Sequence, residues 1–286
     1  MSTDFQSVIR SIADLPPMPA VATKVLMLLG DPNVNYQQLG QVISSDPAVS
    51  ARLMKVANSS FYSMKRQIKT LDHAISIVGE RTLRSLVLAA SLEGLNKSYG
   101  LLEKMLWEDS IGCAVGCRAL ARKFAAADPE EAFLAGLFRH LGKVVMNYTD
   151  GESYRSLVEA VYSGEGSYAE LEGRYFPYAH AVVGAAVLEK WNFSRVLVMT
   201  TLHHDDLQVE HEDEEAGDNL YRLTAVVNMS DCICRRLGIG QREADDSVDV
   251  AACLGARALE LDDDEIQQAV EEVEVVFTEN RESFTS

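Results

Sequence analysis

The chain has 286 residues, 47% of them hydrophobic and 24% charged, an ordinary globular balance that supplies a sizeable core in one large domain or two small ones. No apolar run approaches the roughly 18 residues of a membrane helix, and the N-terminal MSTDFQSVIRSIADLPP lacks the apolar stretch of a signal peptide, so a cytoplasmic chain without membrane contact is expected. The net charge of −17 sits at one end: residues 1–204 hold 20 basic and 20 acidic side chains, residues 205–286 hold 6 and 23, which disfavours general binding to a phosphate backbone.

Residues 1–100 read as an N-terminal helical lobe. Apolar residues recur at helical period in VATKVLMLL, QQLGQVI, AVSARLMKVAN, LDHAISIV and RTLRSLVLAASL. Asp31-Pro32 after Gly30 closes one helix; Asp46-Pro47 opens another, with the Asp carboxylate at the N-cap and Pro at the first helical position. Asn58 is expected to end that helix in a left-handed cap, with Ser59 and Ser60 turning the chain and Phe61 and Tyr62 anchoring it. Residues 50–85 are basic, with Arg52, Lys55, Lys65, Arg66, Lys69, Arg81 and Arg84 against Asp72 and Glu80. Such a run is first a solvated helix face; its functional alternative is a groove in which Arg52, Lys55, Asn58 and Ser59 meet a partner or ligand.

Residues 104–240 read as a second helical bundle. It contains WEDSIGCAVGCRALARKFA, EEAFLAGLFRHLGKVVMNY opened by Asp128-Pro129, SYRSLVEAVY, AVVGAAVLEKW, RVLVMTTLHH and LYRLTAVVNMSDCICRRL. Glu210–Asp218 reads as an acidic loop, and residues 241–286 as short acidic helices fraying from Arg281. No period-2 alternation appears, so the expected fold class is all-α. Cys113, Cys117, Cys232, Cys234 and Cys253 lack zinc-like spacing and read as small hydrophobes in a reducing compartment. Nucleotide-binding glycine motifs, a nucleophile elbow and His-Glu-x-x-His are all missing.

Three segments, LPPMPAVATKVLMLL, ISSDPAVSARLMKVANSSFY and LDHAISIVGERTLRSLVLA, carry a resemblance. Together they resemble the HD-related output domain, HDOD, of bacterial signalling proteins, over roughly residues 12–210. The resemblance implies an all-helical, HD-like regulatory module related to metal-dependent phosphohydrolases but generally without their catalytic His-Asp set. Carried residue by residue, the early His position is Asp109, the His-Asp pair is Arg139-His140, and the final Asp is Asp231. His180 and His203-His204 match the additional histidines of related phosphodiesterases.

Chemistry decides what these exchanges mean. A guanidinium stays protonated and has no lone pair, so Arg139 cannot be a metal ligand. Two unit charges roughly 4 Å apart interact by about 4 kcal/mol at an effective dielectric near 20, and a divalent ion would be repelled more strongly. The expected use of Asp109, Arg139, His140, His180, His203, His204 and Asp231 is therefore a metal-free polar network, with Arg139 paired to Asp109 or Asp231. The alternative is one divalent ion held by His140, His180, His203 and Asp231. Adjacent helical residues point about 100° apart, so one of His203 and His204 faces inward while the other caps the helix end. The expected function is a non-catalytic signalling module without cofactor, acting on a separate signalling protein or a second copy of itself. The alternative is a single-metal phosphohydrolase acting on a nucleotide or cyclic dinucleotide.

Overall fold

A computed structural model describes residues 15–31, 34–59, 68–93, 100–209 and 214–284. Among them there is helix and no strand, and no helix is long and apolar enough to cross a membrane. The N-terminal part comprises α1 (Ala20–Leu29), α2 (Tyr36–Ser44), α3 (Pro47–Ala57) and α4 (Leu71–Glu93), the last interrupted by non-helical backbone at Gly79. The Asp46 carboxylate accepts from the backbone N–H groups of Ala48 and Val49 at 3.0 and 3.1 Å, which starts α3 beside Pro47.

The second part is built around α5 (Leu101–Phe124). Ile111–Ala121 of this helix is buried on every side, the behaviour of a helix at the middle of a bundle. Around it lie α6 (Pro129–Phe138), α7 (Leu141–Thr149), α8 (Gly151–Tyr162), α9 (Tyr168–Tyr175), α10 (His180–Lys190), α11 (Arg195–His203) and α12 (Glu214–Leu237). Asp128 caps α6 by accepting from Glu130 and Glu131 N–H, and Ser167 with Glu170 forms a capping box on α9. GLFRHLGKVV is not one helix: α6 ends at Phe138 and α7 begins at Leu141, with His140 at φ −106°, ψ 18° in the corner.

The C-terminal region departs from the expectation of short, fraying helices. After a 3₁₀ turn (Val250–Ala252) and the short α13 (Leu254–Ala258), α14 runs unbroken over Asp263–Phe284 and packs on α5 and α3. Ala269, Val273, Phe277, Asn280 and Phe284 form its buried stripe. Phe284 is only 6% exposed, and its carbonyl accepts from the Trp107 indole N–H at 2.8 Å. One continuous apolar core links Leu15 and Leu39 to Phe133, Val187 and Phe284. Trp191 extends the link by donating to the Pro16 carbonyl at 3.0 Å.

Candidate functional site

Three elements converge on a buried guanidinium. α5 brings Asp109, the α6–α7 corner brings Arg139, and α12 brings Asp231. Arg139 is 0% exposed. Its Nε donates to Asp231 Oδ1 at 2.6 Å and its Nη2 to Asp109 Oδ1 at 2.7 Å. Its Nη1 donates to the carbonyls of Asp109 and Gly136 at 3.2 and 3.3 Å. All three guanidinium nitrogens are satisfied, and two carboxylates that would otherwise repel each other share one cation. Burial works against the charge on Arg139, but Asp109 above all holds the proton more firmly than usual. Burial likewise works against the Asp231 carboxylate, and Arg139 nevertheless keeps it well below the usual carboxylate range.

The histidines stand next to this triad, and their partners fix their tautomers. Asp109 Oδ2 lies 2.7 Å from His140 Nδ1, and a carboxylate only accepts, so Nδ1 carries the proton. Lys143 Nζ lies beside the His140 ring, 3.1 Å from Nε2 and 3.4 Å from Nδ1, which sets it to the side of the ring and not along the Nε2 lone pair. His180 Nδ1 donates to Glu172 Oε1 at 2.6 Å, while the His180 backbone N–H donates to Glu172 Oε2 at 2.9 Å. His204 Nδ1 donates to the Thr201 carbonyl at 2.8 Å. His180 Nε2 and His204 Nε2 approach each other at 3.4 Å, and Asp205 Oδ1 lies 3.4 Å from His204 Nε2. The three rings pack edge to face with centroids 5.0–5.3 Å apart. Burial, then Arg139 and Lys143, push His140 well below the ordinary histidine range; burial and Lys143 also lower His180, against the opposing pull of Glu172. Gly142 permits this convergence: a Cβ there would lie 1.9 Å from the His180 carbonyl oxygen, so only glycine lets α7 touch α10.

The sequence-based candidates separate on this geometry. Asp109, Arg139, His140, His180, His204 and Asp231 form one cluster. His203 does not join it: its ring, itself buried, turns to Asp206 Oδ1 at 3.1 Å, so the alternative metal set containing His203 is corrected to one containing His204. Two members were not foreseen. Lys143 is buried beside His140 and sits 4.4 Å from the Tyr168 ring centroid, and Glu172 is buried against His180. Their signals were present, Lys143 three residues after His140 and Glu172 eight before His180, but long polar side chains at such positions more often reach solvent.

The other candidate surface has structural uses. Asn58 takes right-handed backbone, φ −91°, ψ 0°, in place of the expected left-handed cap. Its amide donates to the Ile68 carbonyl at 2.9 Å and accepts from the Ile68 N–H at 2.7 Å, tying the end of α3 to the segment that leads into α4. The Ser59 hydroxyl donates to the Val56 carbonyl at 2.7 Å, and Arg52 Nη1 to the Ala90 carbonyl at 3.2 Å. Lys55 lies in the last turn of α3, where its charge suits the carbonyl end of the helix. Pro32, Ser60, Phe61, Tyr62, Lys65 and Arg66 lie outside the described residues.

The cluster does not fit a two-metal centre. Arg139 saturates the inner oxygens of both carboxylates with its own charge, and no bridging carboxylate occupies the His140 position. A single ion has a smaller niche. His140, His180 and His204 each offer a ring nitrogen within 4.8 Å of the others, and two of those rings have their outer nitrogen oriented by Glu172 and Thr201, the arrangement of a metal-binding histidine. Lys143 Nζ, 3.1 and 3.4 Å from the two His140 ring nitrogens, would stand beside such an ion.

A family model, HDOD domain, matches residues 15–207. A curated relative, an uncharacterized protein of Treponema pallidum (strain Nichols), is 26% identical over 227 residues, 78% of this chain and 43% of the relative. The chain thus spans less than half the length of the curated relative it matches. Among solved structures, an HDOD domain protein with unknown function from Geobacter sulfurreducens superposes with a TM-score of 0.76 at 23% identity, covering 99% of this chain and 96% of that one. A candidate phosphohydrolase from Shewanella amazonensis SB2B gives 0.63 at 21%, covering 96% and 88%. A candidate signal transduction protein from Marinobacter aquaeolei VT8 gives 0.64 at 17%, covering 99% and 64%. At these identities the solved structures share the fold with this chain; the family model, spanning most of its length, shows that the chain belongs to the HDOD domain family.

Proposed function

We propose that this chain is a non-catalytic regulatory module that acts through contacts with a signalling protein, its HD-type cradle held closed by side-chain cations where hydrolases hold metal. The observation that carries the reading is Arg139, wholly buried and bonded at once to Asp109 and Asp231. Lys143 supports it by placing a second buried basic side chain beside the His140 ring. With Oδ1 of each carboxylate bonded to Arg139, the cluster lacks the free carboxylate pair that a two-ion centre uses to activate water. The partner is a separate signalling protein or a second copy of the chain. The excess acidic charge of residues 205–286 favours partners with a basic face over nucleic acid. The test is turnover of a generic phosphodiester by the full chain in excess manganese. The expected result is no release above buffer; steady turnover abolished by His180→Ala overturns the proposal.

A second reading has an observation of its own. His140, His180 and His204 each offer a ring nitrogen within 4.8 Å of the others, a set that one zinc-like ion would suit. The chain would then be a single-metal protein, and a phosphohydrolase if the ion also binds water. Zinc at one equivalent, lost in His204→Ala, favours this reading.

A further inference from the structure

The partly exposed thiols belong to Cys232 and Cys253, and neither takes part in the cluster above. The fold brings them together through a fixed contact between α12 and the segment 250–258. Asn228 on α12 accepts the Gly255 backbone N–H at its Oδ1, 2.8 Å away. At Gly255 the two backbones touch: a Cβ there would lie 2.2 Å from the Ala225 carbonyl oxygen and 2.6 Å from the Met229 nitrogen. Cys232 follows Asn228 by four residues, which puts it on the same face of α12 one turn on. Cys253 precedes Gly255 by two, and its thiol interacts with that of Cys232. Cys113, Cys117 and Cys234 are by contrast fully buried inside the bundle.

We infer that Cys232 and Cys253 form an oxidisable dithiol that closes into an intrachain disulfide. Cys253 is the attacking sulfur. It accepts the thiol hydrogen of Cys232, whose hydrogen bond, against the opposing effect of burial, brings the Cys253 thiol down to about 7; the N–H groups of Ala256 and Gly255 add to this. With hydrogen peroxide as oxidant, the Cys253 thiolate attacks one peroxide oxygen and the O–O bond breaks. Hydroxide leaves, and Cys253 is a sulfenic acid. The Cys232 sulfur then attacks the Cys253 sulfur and the S–O bond breaks. The departing oxygen leaves as water, taking the proton from Cys232. Two thiols have lost two electrons and peroxide has become two waters. A dithiol reductant reverses the bond.

The position gives this chemistry a route inward. The same Asn228 amide that accepts Gly255 N–H donates to the His204 carbonyl at 2.9 Å, so one side chain joins the thiol-bearing segment to the histidine group. Closing the disulfide pins residues 250–258 to α12 beside that joint.

The test treats reduced, folded full chain with hydrogen peroxide, alkylates it, and maps the peptides by mass without reduction. The expected product is a Cys232–Cys253 linked peptide, lighter by two hydrogens than the separate pair and opened by dithiothreitol, with Cys113, Cys117 and Cys234 alkylated only after denaturation. In Cys232→Ser, peroxide leaves Cys253 as a sulfenic acid trapped by a cyclic diketone. Failure to find the linked peptide in the unmutated chain overturns the inference, as does equal labelling of all five cysteines before denaturation. The outcome is independent of whether the histidine cluster binds metal.

Discussion

The guanidinium of Arg139 and the carboxylate of Asp231, separated by 92 residues of sequence, meet at 2.6 Å with Arg139 wholly shielded from solvent. Replacing Arg139 by Met keeps the volume but strands Asp109 and Asp231 as neighbouring buried anions. The expected loss is about 3–5 kcal/mol of unfolding free energy, the range for removing one partner of a buried ion pair. Arg139→Lys should recover only part of it, since an ammonium lacks the planar fork that serves both carboxylates at once. Denaturant titration of the three proteins measures both effects.

Stability should fall as pH is lowered through about 6.5. His140 and His180 have folded-state pKa values below their unfolded ones, so the unfolded chain takes up protons first and gains in that window. Glu172 and Asp231 are also depressed, and their stabilisation, complete above the unfolded carboxylate range, is lost as pH drops through about 4 and below. A melting-temperature series from neutral to acid pH should show the first decline, and His140→Gln should flatten it between neutrality and about pH 5.5.

Glu172 orients His180 by taking both its ring and its backbone N–H. Glu172→Gln can donate as well as accept, so the ring is no longer held to one tautomer. Long-range nitrogen–proton correlation spectra should place the His180 proton on Nδ1 in the unmodified chain and on both nitrogens in the variant. The expected cost is about 1–3 kcal/mol, that of a weakened buried charge-assisted bond.

Helical class was legible because the apolar period is strong in nearly every segment, and Asp46 and Asp128 announced two helix starts through local hydrogen bonds that need no tertiary context. The corner at His140 was not legible, since Gly136–Val145 keeps its apolar spacing straight through the break. The length of α14 was hidden by acidic residues between Ala269, Val273, Phe277 and Phe284, although those four follow a helical spacing. Which of His203 and His204 faces the cluster depends on where α11 ends, and helix ends are the least predictable feature of a sequence. Lys143 and Glu172 enter the cluster through burial, which composition cannot report.

The most direct test of the central claim is a calorimetric manganese titration of the unmodified chain beside the Arg139→His, His140→Asp double variant. With Arg139 in the cradle, the account predicts no stoichiometric binding by the unmodified chain and saturable uptake by the double variant, which restores a His-Asp pair next to Asp109 and Asp231. Two manganese ions bound per unmodified chain, with Arg139 in place, would contradict it.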